Sequence, residues 1–160
     1  MFDIGDKAVY PGHGVGVIEA IESKAISGSE QLFFILRIFD NGMTIMIPTE
    51  NVDVVGLREV IPFVEIPKVL DILKEREVIL DNQTWNRRYR EYMEKINTGS
   101  IFSIAEVLRD LQILKMEKTL SFGERKILDT AEGLLVKELA VAKDIKESDV
   151  LMEIRKIFEP

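Results

Sequence analysis

The spacing of apolar residues changes near Pro62, and this change divides the chain into two parts of different fold class. Before it, short runs of β-branched and aromatic residues alternate with glycines, seven of the ten of which precede residue 60. Such runs are typical of β-strands joined by tight turns. After it, apolar residues recur every three to four positions, as in Leu128, Ala131 and Leu135, which is the spacing of an amphipathic helix. The sequence therefore predicts an α+β protein.

The first domain, residues 1–62, is expected to be a small SH3-like β-barrel of five short strands. The strands are predicted at 7–10, 14–23, 31–39, 43–47 and 52–55. Asn41-Gly42 is typical of a two-residue type I′ turn, which would place Leu36 opposite Ile47 and Arg37 opposite Met46.

Alternation along this hairpin separates its side chains into two faces. The predicted core face comprises Phe34, Leu36, Ile38, Ile45 and Ile47. The other face comprises Ile35, Arg37, Phe39, Thr44, Met46 and Pro48, and it is unusually apolar for a surface. Either it packs on a neighbouring strand or on the second domain, or it stays exposed and binds a partner, because Met and exposed apolar groups mark interaction surfaces. The residues alone leave both interpretations open.

The second domain, residues 63–160, is predicted to be a compact all-α domain of about five helices. Ser121 and Glu124 form a capping-box pattern that would open a long helix ending near Lys143. Gly99 follows the predicted end of another helix.

Residue content removes most catalytic classes. The chain has no Cys and a single His, which excludes disulfides, thiol nucleophiles, zinc ribbons and iron-sulfur clusters. His13 lies in a glycine-rich turn between two predicted strands, where a phosphate loop would require a following helix. No enzyme activity, metal or cofactor is expected. No signal peptide and no run of about 18 apolar residues is visible, so we expect a cytoplasmic protein without membrane contact.

The segment TWNRRYR, residues 84–90, holds the only tryptophan and three arginines at the predicted start of a helix. In one interpretation, Trp85 packs on the core and its arginine neighbours extend to solvent. In the other, the indole stays exposed beside phosphate-binding cations, where an apolar ring can open a base step in the minor groove. Phe122, Arg125 and Lys126 repeat this mix of one aromatic and two cations on another helix.

Charge limits the nucleic-acid interpretation. Residues 1–65 hold 4 basic and 10 acidic side chains, a net charge of −6, while residues 66–160 hold 17 and 18, a net charge of −1. Contact with about three phosphates gives a salt slope near −3 in log units, too little for independent DNA binding. A partner must therefore deliver the protein, since tethering raises the effective concentration to roughly millimolar. These features describe an adaptor, and we expect a monomer.

Specific runs resemble a known family. The segments GDKAVYPGHGVGVIEAIE, NGMTIMIP and VGLR resemble the polymerase-interacting domain shared by CarD-type regulators and the bacterial transcription-repair coupling factor. The segments TWNRRYREYMEKINTG, AEVLRDL and LSFGERKILDTA resemble the helical domain of the CdnL branch of the CarD family. The resemblance covers essentially the whole chain. It implies a Tudor-like barrel that binds the RNA polymerase β subunit, and a helical domain that contacts promoter DNA at the upstream edge of the transcription bubble.

The resemblance also implies a function and residues for it. Such proteins stabilise the promoter open complex, notably at ribosomal RNA promoters, without catalysis. The implied polymerase-binding positions are Lys24, Met46 and Pro48, to which Arg37 of the same hairpin face is added. The implied DNA-binding positions are the wedge Trp85 with Arg87, Arg88, Arg90, Met93 and Phe122, to which helical spacing adds Arg125 and Lys126.

Some relatives carry arginines where this chain has Lys24 and Met46, which suggests a more apolar polymerase contact here. The alternative function is a pure protein adaptor on RNA polymerase, in which Trp85 binds another protein and makes no direct DNA contact.

Overall fold

The computed structural model describes residues 2–77 and 84–159 and divides the chain into two compact units, Met1–Val60 and Ile61–Pro160. The first unit is a five-stranded antiparallel sheet and the second is helical, which confirms the α+β class. Within the described residues, no helix has both the length and the apolar character needed to cross a membrane.

The sheet of the first unit has the strand order β4-β3-β2-β1-β5. Its strands are β1 (Lys7–Tyr10), β2 (Gly14–Ile26), β3 (Ser29–Ile38), β4 (Thr44–Pro48) and β5 (Arg58–Glu59). The first four correspond to predicted strands, but β2 and β3 extend further than expected and form a long hairpin. Its two-residue turn, Ser27-Gly28, has positive φ at both positions, 51° and 83°, as a type I′ turn requires.

The predicted fifth strand at 52–55 is wrong. These residues form a short helix, α1 (Val52–Val55), after a 3-10 turn at Thr49–Asn51. Val52 and Val55 both pack against the core of the unit, whereas Val54 is 83% exposed. In a strand, Val52 and Val54 would share a face, so only a helical turn buries the two valines three positions apart.

The predicted turn between β3 and β4 is also wrong. Gly42 has a φ of 69°, but Asn41 does not have the positive φ that a type I′ turn requires. The amide of Gly42 donates to the carbonyl of Ile38 at 2.9 Å, which makes a longer loop with glycine in the left-handed region. Leu36 therefore pairs with Ile45, and the whole register is shifted by two residues from the prediction. Because the shift is even, both predicted faces keep their members.

The core of the first unit follows the predicted core face. Its buried cluster comprises Phe2, Ala8, Ile18, Phe34, Leu36, Ile38, Ile47 and Leu57, with Ile45 partly buried beside it. The rings of Phe2 and Phe34 meet edge to face with centroids 6.1 Å apart. Phe2, which precedes β1, thus fills space in the core that the strand residues do not fill.

The described part of the second unit contains the expected five α-helices. They are α2 (Ile66–Lys74), α3 (Trp85–Asn97), α4 (Ile101–Glu117), α5 (Phe122–Lys143) and α6 (Glu147–Ile157). The capping box of Ser121 and Glu124 is present, and the predicted end of α5 is confirmed. Gly99 follows α3 with a φ of 79°.

Helix α4 is central to this unit because it packs against α2, α3 and α5. Its buried side includes Val107, Leu108 and Leu111. On α5, the buried carboxylate of Glu138 accepts a hydrogen bond from the amide of Ile61 at 2.9 Å. The start of the unit is thereby joined to the same long helix that carries Phe122, Arg125 and Lys126.

Candidate docking face and nucleic-acid interface

The four predicted polymerase-binding residues lie on one face of the sheet, which we call the outer face. Strand register places Lys24 opposite Gln31, Met46 opposite Ile35, and Pro48 opposite Phe33. Arg37 shares the face, since it lies two and four positions from Ile35 and Phe33 along β3. The outer face thus lies on three neighbouring strands and comprises Val17, Ala20, Glu22, Lys24, Gln31, Phe33, Ile35, Arg37, Thr44, Met46 and Pro48.

Some residues of the outer face are buried and others are exposed, so each of the two interpretations of this face agrees with part of it. Phe33 and Ile35 are buried, as the packing interpretation expects. Met46 and Phe39, the residue that follows β3, are each 42% exposed, as the docking interpretation expects. An exposed, flexible Met side chain next to buried apolar neighbours is suited to an apolar contact.

Arg37 already has partners within the protein. Its Nε pairs with the carboxylate of Glu19, and its guanidinium lies 5.8 Å from the ring centroid of Phe39. Glu19 occupies the point where the β2–β3 register shifts between Ile18 and Ala20, which is why it reaches Arg37. Sequence reasoning missed Glu19, because the irregularity has no local signal. The charge of Arg37 is therefore partly neutralised before any partner binds.

The candidate nucleic-acid interface begins at the first residue of α3. The Thr84 side chain caps this helix by accepting from the Arg87 amide at 3.4 Å. Trp85 is 39% exposed, and its ring centroid lies 5.7 Å from that of Tyr89, one turn further on, with the rings tilted by 55°. The tryptophan is thus neither a core residue nor a freely rotating surface residue.

Trp85 also contacts the first turn of α5. A methyl group added to Gly123 would lie only 2.7 Å from Cζ2 of the Trp85 indole, so the ring occupies the space that a side chain would need. Sequence reasoning missed Gly123. The available signal was a glycine inside a helix, which costs about 1 kcal/mol relative to Ala and therefore calls for a packing reason.

An ion pair joins the same two helices. Nη1 of Arg88 lies 3.4 Å from Oε2 of Glu124, a carboxylate that is only 2% exposed. Its Oε1 accepts from the Ser121 amide at 2.9 Å and lies 3.2 Å from Nζ of Lys118. Burial alone would raise the pKa of Glu124, but these hydrogen bonds and the Lys118 charge outweigh it, and the pKa is lowered. Glu124 is therefore anionic, and the predicted phosphate contact Arg88 is an ion-pair partner within the protein.

The other predicted DNA-binding residues lie mostly on the surface. Arg87 is exposed and lies 3.6 Å from Glu91. Arg90, Arg125 and Lys126 are also exposed, and within residues 2–77 and 84–159 none of them pairs with a carboxylate. Phe122 is 76% exposed, and Met93 is half-buried in a shallow groove that Tyr89 and Arg90 also line. Three uncompensated cations thus accompany three exposed aromatic side chains, those of Trp85, Tyr89 and Phe122.

The structure gives His13 a local role. Its ring lies against Tyr10 with centroids 5.1 Å apart, in the turn between β1 and β2. In the described part of the chain, no three His, Cys, Asp or Glu residues are grouped closely enough to bind a metal ion.

Comparisons with known proteins agree with this arrangement of domains. The family model described as CarD-like/TRCF RID domain matches residues 2–61, and the one described as CarD, C-terminal domain matches residues 68–155. A Bacillus subtilis (strain 168) protein, described as putative transcription factor YdeB, is 40% identical over 152 residues, which is 94% of this chain and 97% of that protein.

Two solved structures from Myxococcus xanthus are also similar. CdnLNt is 56% identical over 38% of this chain and 86% of its own, with a TM-score of 0.33. The solution NMR structure of the 72-residue N-terminal domain of CarD is 32% identical over 37% of this chain and 79% of its own, with a TM-score of 0.32. Because both family models match and a relative is 40% identical over nearly its whole length, this chain belongs to the CarD/CdnL family of transcription factors.

Proposed function

We propose that this protein is a transcription regulator that binds the β subunit of bacterial RNA polymerase and stabilises the promoter open complex, notably at ribosomal RNA promoters. In this proposal, the outer face of the sheet binds the polymerase, and Trp85 enters the minor groove at the upstream edge of the transcription bubble. The protein has no catalytic role. The observation that carries the proposal is the partial exposure of Trp85, a residue that is 39% accessible at a helix start among uncompensated cations.

The free-energy cost of unstacking favours a wedge that acts only where the polymerase has already opened the DNA. Unstacking a step in a closed duplex costs a few kcal/mol, whereas a bubble junction is unpaired before the ring arrives. There the indole obstructs re-annealing without bearing the full cost of opening. Recognition is independent of sequence because an arginine or lysine on a phosphate reads no base.

The cations are sufficient for positioning but not for recruitment. If Arg90, Arg125 and Lys126 each contact one phosphate, the salt slope is about −3 in log units. Binding to the polymerase supplies the rest by raising the effective concentration near the promoter to roughly millimolar. The outer face supports such binding through Met46, and because Glu19 already opposes Arg37, we expect the polymerase contact to depend weakly on salt.

The test is the lifetime of a promoter open complex formed with bacterial RNA polymerase. It is measured without the protein, with wild type and with Trp85→Ala, while binding to the β subunit is measured in parallel. We expect wild type to prolong the lifetime and Trp85→Ala to shorten it about tenfold, since 1.4 kcal/mol is a factor of ten. Phe63→Ala is the matched control, because Phe63 is an exposed aromatic, 66% accessible, outside the site.

Other outcomes would contradict parts of the proposal. An unchanged lifetime despite β binding would indicate the pure protein adaptor, with Trp85 binding another protein. Salt separates the two functions further, because arginine–phosphate contacts weaken steeply with ionic strength and an apolar contact does not. A failure to bind β would contradict docking by the outer face.

A further inference from the structure

We propose that Gly123 is a positioning residue for Trp85: the missing side chain at this point of α5 lets the indole lie against the helix backbone in one fixed orientation. The functional consequence rests on the proposed role of Trp85 at the bubble edge. The positioning itself is a property of the free protein and is testable without DNA.

The contact involves one edge of the indole. A methyl group at Gly123 would lie 2.7 Å from Cζ2, 3.3 Å from Cη2 and 3.6 Å from Cε2 of Trp85. Carbon atoms in contact prefer separations of about 3.5–4.0 Å, so the methyl group and the ring cannot both occupy their places. Tyr89 contacts the same indole from within α3, at a centroid distance of 5.7 Å. The ring therefore has contacts on both α3 and α5, while 39% of its residue surface stays accessible.

The residues next to this contact fix the two helices to each other. Arg88, one turn after Trp85, pairs with Glu124, the residue after Gly123. Glu124 is itself fixed by the reciprocal capping box with Ser121. The first turns of α3 and α5 are thus joined by an ion pair beside the indole. A ring that is ordered before binding loses less conformational freedom when it enters a base step.

Another glycine in the same helix provides a contrast. The nearest atom to a methyl group at Gly133 would be Nζ of Lys137 at 3.9 Å, which is ordinary contact with a flexible side chain. Gly133 and Gly123 both lie in α5, so replacement by Ala changes the intrinsic helix preference in the same direction at both. Only Gly123 contacts the aromatic ring. Gly133→Ala is therefore the matched control for Gly123→Ala.

The first experiment uses fluorescence, because Trp85 is the only tryptophan in the chain. In Gly123→Ala, we expect a red-shifted emission and an acrylamide quenching constant about twofold higher, since a ring displaced from α5 gains solvent contact. Gly133→Ala is expected to keep the wild-type spectrum. The clash at Gly123 is with the outer end of a side chain, so the far-UV circular dichroism of Gly123→Ala should remain that of the wild type. Unchanged emission and quenching in Gly123→Ala would overturn the inference, whatever happens on DNA.

The second experiment repeats the open-complex lifetime with the same two variants. We expect Gly123→Ala to shorten the lifetime several-fold toward the Trp85→Ala value, with β binding unchanged, and Gly133→Ala to match the wild type. If the ring is displaced in Gly123→Ala but only Trp85→Ala shortens the lifetime, positioning by Gly123 has no function and the inference is overturned. If Trp85→Ala itself has no effect, the proposed function fails, while the fluorescence result still decides whether Gly123 positions the ring.

Discussion

Nη1 of Arg88 and Oε2 of Glu124 lie 3.4 Å apart, and this ion pair joins the first turn of α3 to the first turn of α5. Glu124 also caps its own helix, because its other oxygen accepts a hydrogen bond from the amide of Ser121, the N-cap residue of α5. One buried carboxylate thus takes part both in the cap of its own helix and in the contact between two helices. A change at Glu124 is therefore expected to affect both the stability of the second unit and the orientation of Trp85.

We predict that Glu124→Gln lowers the free energy of unfolding by about 2 kcal/mol, since it removes the negative charge of a buried carboxylate that pairs with Arg88, itself only 21% exposed. Glutamine can still complete the capping box, so the loss of stability measures what the negative charge of Glu124 contributes. Urea denaturation at neutral pH followed by circular dichroism measures it. The control is Glu132→Gln, whose partner Arg155 is 63% exposed, with an expected loss of at most about 1 kcal/mol. Equal losses in the two variants would contradict the prediction.

The lowered pKa of Glu124 predicts that the free energy of unfolding depends on pH in the acidic range. The hydrogen bonds from Ser121 and the charge of Lys118 outweigh burial and hold the pKa of Glu124 below its ordinary value in the folded state. The stability that this group contributes is fully present above the ordinary pKa of glutamate, and it is lost as the pH falls through the lowered pKa. We therefore expect the stability difference between wild type and Glu124→Gln to shrink in acid. A difference that stays constant across an acidic urea series would show that the lowered pKa is wrong.

The free energy of unfolding is also expected to depend on pH in the alkaline range, because of Tyr92. Burial, reinforced by the charge of Asp110, raises the pKa of the Tyr92 hydroxyl to about 12. The unfolded chain releases this proton near pH 10, so stability is lost as the pH rises from about 10 toward 12. Two pKa units correspond to roughly 3 kcal/mol. In Tyr92→Phe, the loss of stability in base should be smaller by this amount, as measured by urea denaturation at neutral and alkaline pH. An identical loss in both proteins would contradict the prediction.

Features encoded by neighbouring residues were predictable from the sequence. The end of α5 near Lys143 and the cap at Ser121 follow from residues within a few positions of each other. The two faces of the β3–β4 hairpin also follow from alternation alone. Its register does not, because Asn41-Gly42 suits two turn types, and the two types differ only in the φ values that these residues adopt in the folded chain.

Some residues of the candidate site were likewise predictable from the sequence and others were not. Trp85, Phe122 and the surrounding cations were found from composition and helical spacing. Gly123 and Glu19 were not, because each matters through a residue far along the chain: Gly123 through Trp85, and Glu19 through Arg37. A carboxylate displaced by a strand irregularity has no local pattern, and a glycine inside a helix indicates a close contact without indicating which residue makes it. Such residues emerge only once the helices and strands are packed.

A further prediction concerns the sheet. A methyl group at Gly16 in β2 would overlap the carbonyl oxygen of Arg37 in β3, and backbone atoms cannot move aside cheaply. We expect Gly16→Ala to destabilise the first unit by more than about 3 kcal/mol and to disrupt the β2–β3 pairing. Gly42→Ala is the control, since the space there is open and only the left-handed backbone, with φ of 69°, costs about 1 kcal/mol. Thermal denaturation of the two variants measures the contrast, and comparable melting temperatures would contradict it.

Polymerase binding provides the last prediction, through two methionines of one hairpin. Met46 is 42% exposed on the outer face, and Met43 is 39% exposed in the turn that precedes β4, outside the strands that form that face. Truncation of either costs little stability, because neither is a core residue. We expect Met46→Ala to weaken binding to the β subunit about tenfold, the effect of losing one apolar hot spot, while Met43→Ala binds as wild type.

The ionic-strength dependence of these two variants distinguishes an apolar contact from an electrostatic one. Because Glu19 already opposes the charge of Arg37, the loss of affinity in Met46→Ala should persist when the salt concentration is raised. Binding of both variants is measured by titration against the isolated polymerase at low and high salt. If Met43→Ala weakened polymerase binding equally, the polymerase contact would not lie on the outer face. A Met46→Ala effect that disappears at high salt would mean that charged groups of the outer face, Lys24 and Arg37, provide the binding energy instead.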